Sequence, residues 1–109
     1  MQNGHYKIEE ISSYLFGIFS NSKNFEREYE QRLEYFKKNM EDFYDEYGKD
    51  FKANLESVEQ AKVVSKMNLI MPSIFLIPNG NIRFVFDSTE CSVGVQFLGN
   101  GTVQLITTR

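Results

Sequence analysis

The sequence predicts an α+β fold in which two to three N-terminal helices pack on a C-terminal four-stranded antiparallel meander. Two observations lead to this prediction. Before residue 70 the apolar residues recur every three or four positions, and after residue 73 they recur every second position. These are the periods of helices and of half-buried strands. With 109 residues the chain has the length of one domain, divided into a helical part over 1–70 and a sheet over 71–109.

The first predicted helix covers about residues 6–19. Its apolar residues, spaced three, four and three apart on one helical face, are Ile8, Ile11, Leu15 and Ile18. Residues 20–24, with the sequence SNSKN, form a polar break after it. This segment is rich in residues that favour the start of a new helix.

The second predicted helix has the clearest period in the chain. Its apolar seam, with spacings of four and three in alternation, consists of Phe25, Tyr29, Leu33, Phe36, Met40, Phe43 and Tyr47. Such a heptad pattern is typical of a helix packed on its neighbours, and a dimeric coiled coil through the same seam is the alternative. Gly48 follows at once, as expected of a helix C-cap. We therefore expect one continuous helix over 25–47.

A third, shorter helix is predicted to begin at Ser57. The segment from Ser57 to Gln60 fits a capping box, in which both side chains bond free backbone amides of the first turn. Val58, Ala61 and Val64 would then face inward. The helix should end before Pro72, because a residue that precedes proline is disfavoured in helical conformation.

Four strands are predicted over 74–77, 82–86, 91–98 and 102–107. The first and the last connection contain Asn79-Gly80 and Asn100-Gly101. Both residues of an Asn-Gly pair tolerate the positive φ that a tight hairpin turn requires. The repeat therefore predicts a meander whose first or last strand forms an edge of the sheet.

The residues that commonly carry chemistry are few. His5 is the only histidine and lies near the N-terminus, and Cys91 is the only cysteine, in phase with buried strand positions. One histidine with one cysteine does not make a standard transition-metal set. The carboxylates of residues 41–46 lack the alternating spacing of a calcium loop. We expect no catalytic residue, no cofactor and no metal site, and hence no enzyme.

The negative charge is concentrated on the second helix. The formal net charge is −3, and residues 24–50 carry a clear excess of acidic over basic side chains. The acids that fall near one stripe of this helix are Glu26, Glu30, Glu34, Glu41 and Asp45. A solvated outer face is one interpretation, and a surface that docks on a basic partner is the other. The charge argues against direct nucleic-acid binding.

Several aromatic residues lie off the apolar seams. They are Tyr14 and Phe16 on the first helix, and Tyr35 and Tyr44 on the second. Tyrosine and phenylalanine often anchor protein interfaces, although such residues also cover neighbouring helices or a sheet edge. Together with the acidic stripe they indicate a protein-binding face more than a pocket.

Four segments resemble a group of small, mostly uncharacterised bacterial α+β proteins. They are YDEYG at 44–48, SVEQA at 57–61, PSIFLIPNGNIRFVF at 72–86 and VGVQFLGNGTVQLI at 93–106. The similarity covers about residues 43–107 and brings no established catalytic residues with it. It implies a small accessory protein from a mobile, phage or defence-related locus, such as an antitoxin, an immunity protein or an inhibitor.

We therefore expect a cytoplasmic protein-binding module that restrains a partner with a basic surface, for example a nuclease or a toxin. The alternative is a structural module that self-associates through the apolar seam or an open sheet edge, so a homodimer stays open. A small-ligand-binding domain is the third hypothesis. No membrane-spanning segment is expected, because the longest early apolar stretch is about half the length that a bilayer requires.

Overall fold

A computed structural model describes residues 1–108 as an α+β structure with one antiparallel sheet. The elements in chain order are β1 (Gly4–Lys7), α1 (Ile8–Phe19), α2 (Glu26–Lys38), a 3-10 turn (Met40–Phe43), α3 (Tyr44–Tyr47), α4 (Leu55–Ser65), β2 (Ser73–Leu76), β3 (Ile82–Asp87), β4 (Ser92–Phe97) and β5 (Thr102–Thr108). The sheet has the order β1-β5-β4-β3-β2, and all neighbours are antiparallel.

The predicted meander is present, but residues 1–108 form five strands rather than the predicted four, and four α-helices rather than two to three. β2 to β5 lie within about two residues of their predicted bounds. A fifth strand, β1, pairs with β5 and precedes α1, which begins at Ile8 rather than near residue 6. Asn3 fixes this pairing, since its Oδ1 accepts a hydrogen bond of 2.7 Å from the backbone N–H of Thr107.

The second predicted helix is interrupted at Asn39, so one continuous helix over 25–47 was wrong. The backbone N–H and the side-chain Nδ2 of Asn39 both donate to the carbonyl of Tyr35, at 2.9 and 3.0 Å. Asparagine competes with helical hydrogen bonding in this way, and α2 ends there. The seam still serves packing, since Met40 and Phe43 contact the core. Gly48 ends α3 with a φ of 98°, in agreement with the predicted C-cap.

Helix α4 begins at Leu55, and its cap is Asn54 rather than Ser57. The Oδ1 of Asn54 accepts hydrogen bonds from the N–H groups of Glu56 and Ser57. Ser57 is fully buried instead and bonds the sheet, so the predicted capping box was wrong. The inward positions Val58, Ala61 and Val64 are buried as predicted.

The first hairpin turn contains the predicted Asn79-Gly80 pair and is a three-residue turn over 78–80. The N–H of Ile77 donates to the carbonyl of Asn81 at 3.0 Å, and the N–H of Gly80 donates back to Ile77 at 2.8 Å. Only the glycine has a positive φ, 89°. A Cβ on Gly80 would lie 2.5 Å from the carbonyl oxygen of Lys52. Glycine is therefore required because the turn docks closely on the segment that leads into α4.

The helices cover the sheet through large apolar side chains. Phe19 of α1 stacks on Phe86 with a centroid distance of 5.2 Å, and Tyr29 of α2 meets Phe84 edge-on at 5.3 Å. The buried face of the sheet also contains the alternating residues of β4 and β5. Within residues 1–108 none of the helices combines the length and the apolar character that crossing a membrane requires.

Candidate functional site

Helix α2 presents two different flanks on either side of its buried row, which consists of Tyr29, Leu33 and Phe36. Glu26, Glu30 and Glu34 are four residues apart and follow one flank; we call them the acidic row. Glu28, Arg32 and Tyr35 follow the other flank; we call them the groove row. The helix therefore separates most of the predicted acidic residues from the predicted aromatic residue Tyr35.

At the C-terminal end of the acidic row, Glu34 forms ion pairs with one lysine of α4 and one lysine of α2. Nζ of Lys62 lies 3.1 Å from Oε1 of Glu34, and Nζ of Lys37 lies 3.6 Å from the same atom. The hydrogen bond from Lys62, reinforced by the charge of Lys37, holds the pKa of Glu34 below its usual range. Glu26 and Glu30 take part in none of the ion pairs formed within residues 1–108. Two of the three carboxylates thus lack a counterion in that part of the chain.

The other two acids of the predicted stripe lie beyond the end of α2. Glu41 belongs to the 3-10 turn and Asp45 to α3, and both are exposed. Because the helix is interrupted at Asn39, the five predicted acids do not form one continuous stripe. The prediction assumed an unbroken helix, and that assumption was wrong.

The groove row lines a groove of about 410 Å³ between α2 and the start of β2. Its lining residues are Glu28, Gln31, Arg32, Tyr35, Met71, Pro72 and Ile74. The guanidinium of Arg32 lies 5.6 Å from the ring centroid of Tyr35, within cation–π range. The Tyr35 hydroxyl donates to Asp42, and this hydrogen bond raises the pKa of Tyr35.

The remaining predicted aromatics lie elsewhere on the molecule. Tyr14 lines a separate cavity of about 760 Å³ together with Ile18 and Cys91. Phe16 is 51% exposed on α1, and Tyr44 is half-buried against the core. The structure therefore does not gather the predicted aromatics and acids into one compact site.

His5 lies in β1, and Cys91 lies in the loop before β4 rather than in the strand. His5 is part of β1 and exposed. Cys91 precedes β4 and is half-buried, with its Sγ 3.6 Å from Oγ of Ser88. In the described part of the chain, no three His, Cys, Asp or Glu side chains come together as metal ligands.

The apolar margin of β2 was not predicted from the sequence. Met71, Tyr35 and Phe75 are 38%, 39% and 47% exposed, and they lie around the edge strand. The alternation of Ile74, Phe75 and Leu76 already indicates that Phe75 points away from the core. The predicted meander also makes this first strand a candidate for an edge, but neither pattern indicates that it lies beside α2.

The chain was also compared with known proteins. No protein-family model, curated protein or solved structure matches it.

Proposed function

We propose that the protein is a small protein-binding module that restrains a partner protein through the acidic surface of α2. An antitoxin, an immunity protein or a phage-encoded inhibitor would act in this manner. The observation that supports the proposal is the difference within the acidic row: Glu34 has two lysine counterions, whereas Glu26 and Glu30 have none within residues 1–108.

The physical argument concerns the uncompensated charge. Carboxylates four residues apart on a helix repel one another by a few tenths of a kcal/mol per pair. A partner with a basic surface, such as a nuclease or a toxin, would remove this repulsion. It would also be attracted from a distance, so its association would be fast and sensitive to salt. The exposed acids Glu41 and Asp45 extend the same negative region beyond the end of α2.

The test is affinity capture from the native host lysate at low and at high salt, with the eluate identified by mass spectrometry. The variant carries Glu26→Lys and Glu30→Lys. The matched control carries Glu9→Lys and Glu90→Lys, which produce the same change in net charge at exposed positions outside α2. We expect the wild type and the control to retain one stoichiometric partner that high salt releases, and the α2 variant to lose it.

Two results would contradict the proposal. One is a partner that the α2 variant retains as well as the wild type does, because the contact would then lie elsewhere. The other is equal loss from the α2 variant and the control, because net charge rather than the acidic row would then determine binding.

A further inference from the structure

The edge of β2 offers unpaired backbone groups. β2 is an edge strand of the sheet formed by residues 1–108. Just beyond it, Ile77 and Asn81 form a hydrogen-bonded pair, in which the N–H of Ile77 donates to the carbonyl of Asn81. Hydrogen-bonded and non-hydrogen-bonded pairs alternate along antiparallel strands. Ser73 and Phe75 therefore bond β3, whereas Ile74 and Leu76 direct their N–H and C=O groups away from the sheet.

One group on this edge already has a partner. The hydroxyl of Tyr47 donates a hydrogen bond of 3.1 Å to the carbonyl of Leu76. The groups left for a new strand are the N–H and C=O of Ile74 and the N–H of Leu76. Pro72 directly precedes β2 and lies two residues before Ile74, so its carbonyl also points away from β3. Proline has no N–H to donate.

We propose that a second copy of this chain occupies the edge, with β2 paired antiparallel to β2 around a two-fold axis at Ile74. The two Ile74 residues then exchange both of their hydrogen bonds. The N–H of each Leu76 meets the Pro72 carbonyl of the second copy. The missing N–H of Pro72 faces the Leu76 carbonyl that Tyr47 already satisfies. This register leaves no edge donor or acceptor of these three residues without a partner.

The charges beside the edge favour a second copy over a strongly charged partner. Glu28 and Arg32 are one helical turn apart and line the groove together with Ile74. A two-fold axis at Ile74 makes the two α2 helices antiparallel. Glu28 of one copy is then directed toward Arg32 of the other. The groove row is neutral in sum and self-complementary, whereas the acidic row would repel a copy of itself.

The strand itself carries no charged side chain that would oppose pairing. Edge strands commonly carry lysine, proline or a bulge that prevents association. β1, at the opposite edge, contains Lys7, but β2 has the uncharged sequence SIFL. Pairing at β2 would also cover the exposed side chain of Phe75. A four-residue edge and one helix flank make a small interface, so we expect a concentration-dependent dimer rather than a permanent one.

The test measures the mass of the purified protein by size-exclusion chromatography with light scattering over a concentration series. In the proposed register Ser73 faces Phe75 of the second copy. The variant Ser73→Lys with Phe75→Lys therefore places like charges opposite each other. The matched variant Ser73→Glu with Phe75→Lys places opposite charges there. Both changes are at exposed positions whose side chains point away from the core, and thermal unfolding checks that both variants fold.

We expect the wild-type mass to rise with concentration from 12.7 kDa toward twice that value. The Lys/Lys variant should remain monomeric, and the Glu/Lys variant should dimerise. A wild type that is monomeric up to about 1 mM would overturn the proposal. A Lys/Lys variant that dimerises like the wild type would also overturn it, because the dimer would use another surface. If both variants lost dimerisation to the same extent, the proposed pairing of Ser73 with Phe75 of the second copy would be refuted. The experiment contains no partner protein, so its outcome is independent of the proposed function.

Discussion

Helices α2 and α4 lie on the same face of the sheet, but they are attached by different forces. α2 contacts the sheet through aromatic packing, as in the edge-on contact between Tyr29 and Phe84. α4 also buries Val58, Ala61 and Val64, but in addition its polar side chains bond the strand backbones directly. The Oγ of Ser57 donates to the carbonyl of Phe97 and accepts a hydrogen bond of 2.9 Å from the N–H of Ile82. Apolar packing tolerates small shifts of a helix, whereas these hydrogen bonds fix its position.

The N-terminal end of α4 is the place where both Asn-Gly hairpins meet. The N–H of Asn54 donates to the carbonyl of Gly80 at 2.7 Å, and its Nδ2 lies 3.3 Å from the carbonyl of Leu98. Gln60 adds two bonds of 2.8 Å each, to the carbonyl of Thr102 and from the N–H of Gly99. The repeated turns therefore do more than reverse the chain: they hold α4 on the sheet.

The largest effect is expected from removing an aromatic side chain of α2. Tyr29 is fully buried, and Tyr29→Ala should lower the free energy of unfolding by about 3–5 kcal/mol, the usual cost of removing a large buried ring. Tyr29→Phe keeps the ring and loses only the hydrogen bond of 3.3 Å to the carbonyl of Ile70. Its cost should be about 1 kcal/mol. Urea unfolding followed by circular dichroism measures both.

The ratio of the two losses of unfolding free energy shows whether packing of the Tyr29 ring holds α2 on the sheet. If Tyr29→Phe were as destabilising as Tyr29→Ala, the hydroxyl rather than the ring would hold the helix. Helix α2 would then be held by hydrogen bonding, as α4 is, and not chiefly by packing.

An intermediate effect is expected from Ser57→Ala in α4. This change leaves the N–H of Ile82 and the carbonyl of Phe97 without their partner inside the core, at a cost of about 1–3 kcal/mol. Ser65 is the matched control, because it is equally buried on the same helix but donates only to the carbonyl of Lys62 in that helix. Ser65→Ala should cost less than about 1 kcal/mol. Equal losses of unfolding free energy for the two serines would show that the bonds to the sheet are not special.

The periodic parts of the fold could be predicted from the sequence, because period reflects burial directly. The buried residues of α2 and the alternation in β2 to β5 follow from spacing. On α1 the spacing correctly predicts Ile11 and Leu15 as buried, but the prediction was wrong for Ile18, which is 39% exposed while Phe19 is buried. β1 could not be predicted in this way, since Gly4–Lys7 is short and mostly polar and becomes a strand only beside β5. The interruption at Asn39 and the role of Ser57 depend on individual hydrogen bonds, which leave no periodic trace.

The candidate site was predictable only in part for the same reason. Spacing correctly places Glu26, Glu30 and Glu34 in one row, but it does not show that Lys62 neutralises the last of them. The groove between α2 and β2 joins segments about forty residues apart in the sequence. Its existence depends on which strand is at the edge, and that follows from the pairing of β1 with β5.

The smallest effect is expected at the ion pair that joins α2 to α4. The pKa of Glu34 is lowered from its ordinary value of 4.5 in the folded protein, chiefly by the hydrogen bond from Lys62. The contribution of the pair to stability is therefore fully present above about pH 4.5 and is lost as the pH falls through the folded pKa. Glu34→Gln should be less stable than the wild type near neutral pH, and this difference should vanish in acid.

Urea unfolding of the wild type and Glu34→Gln over a pH series, at low and at high salt, measures this difference. The control is Glu30→Gln, which removes an acid of the same row that lies outside the ion pairs of residues 1–108. It should not reproduce the loss of stability above pH 4.5, because no lysine contact is removed. Salt should reduce the Glu34 difference, since the pair is partly exposed. A difference between wild type and Glu34→Gln that persisted in strong acid would have to come from packing of the side chain. In that case the two helices would be joined by contact rather than by charge.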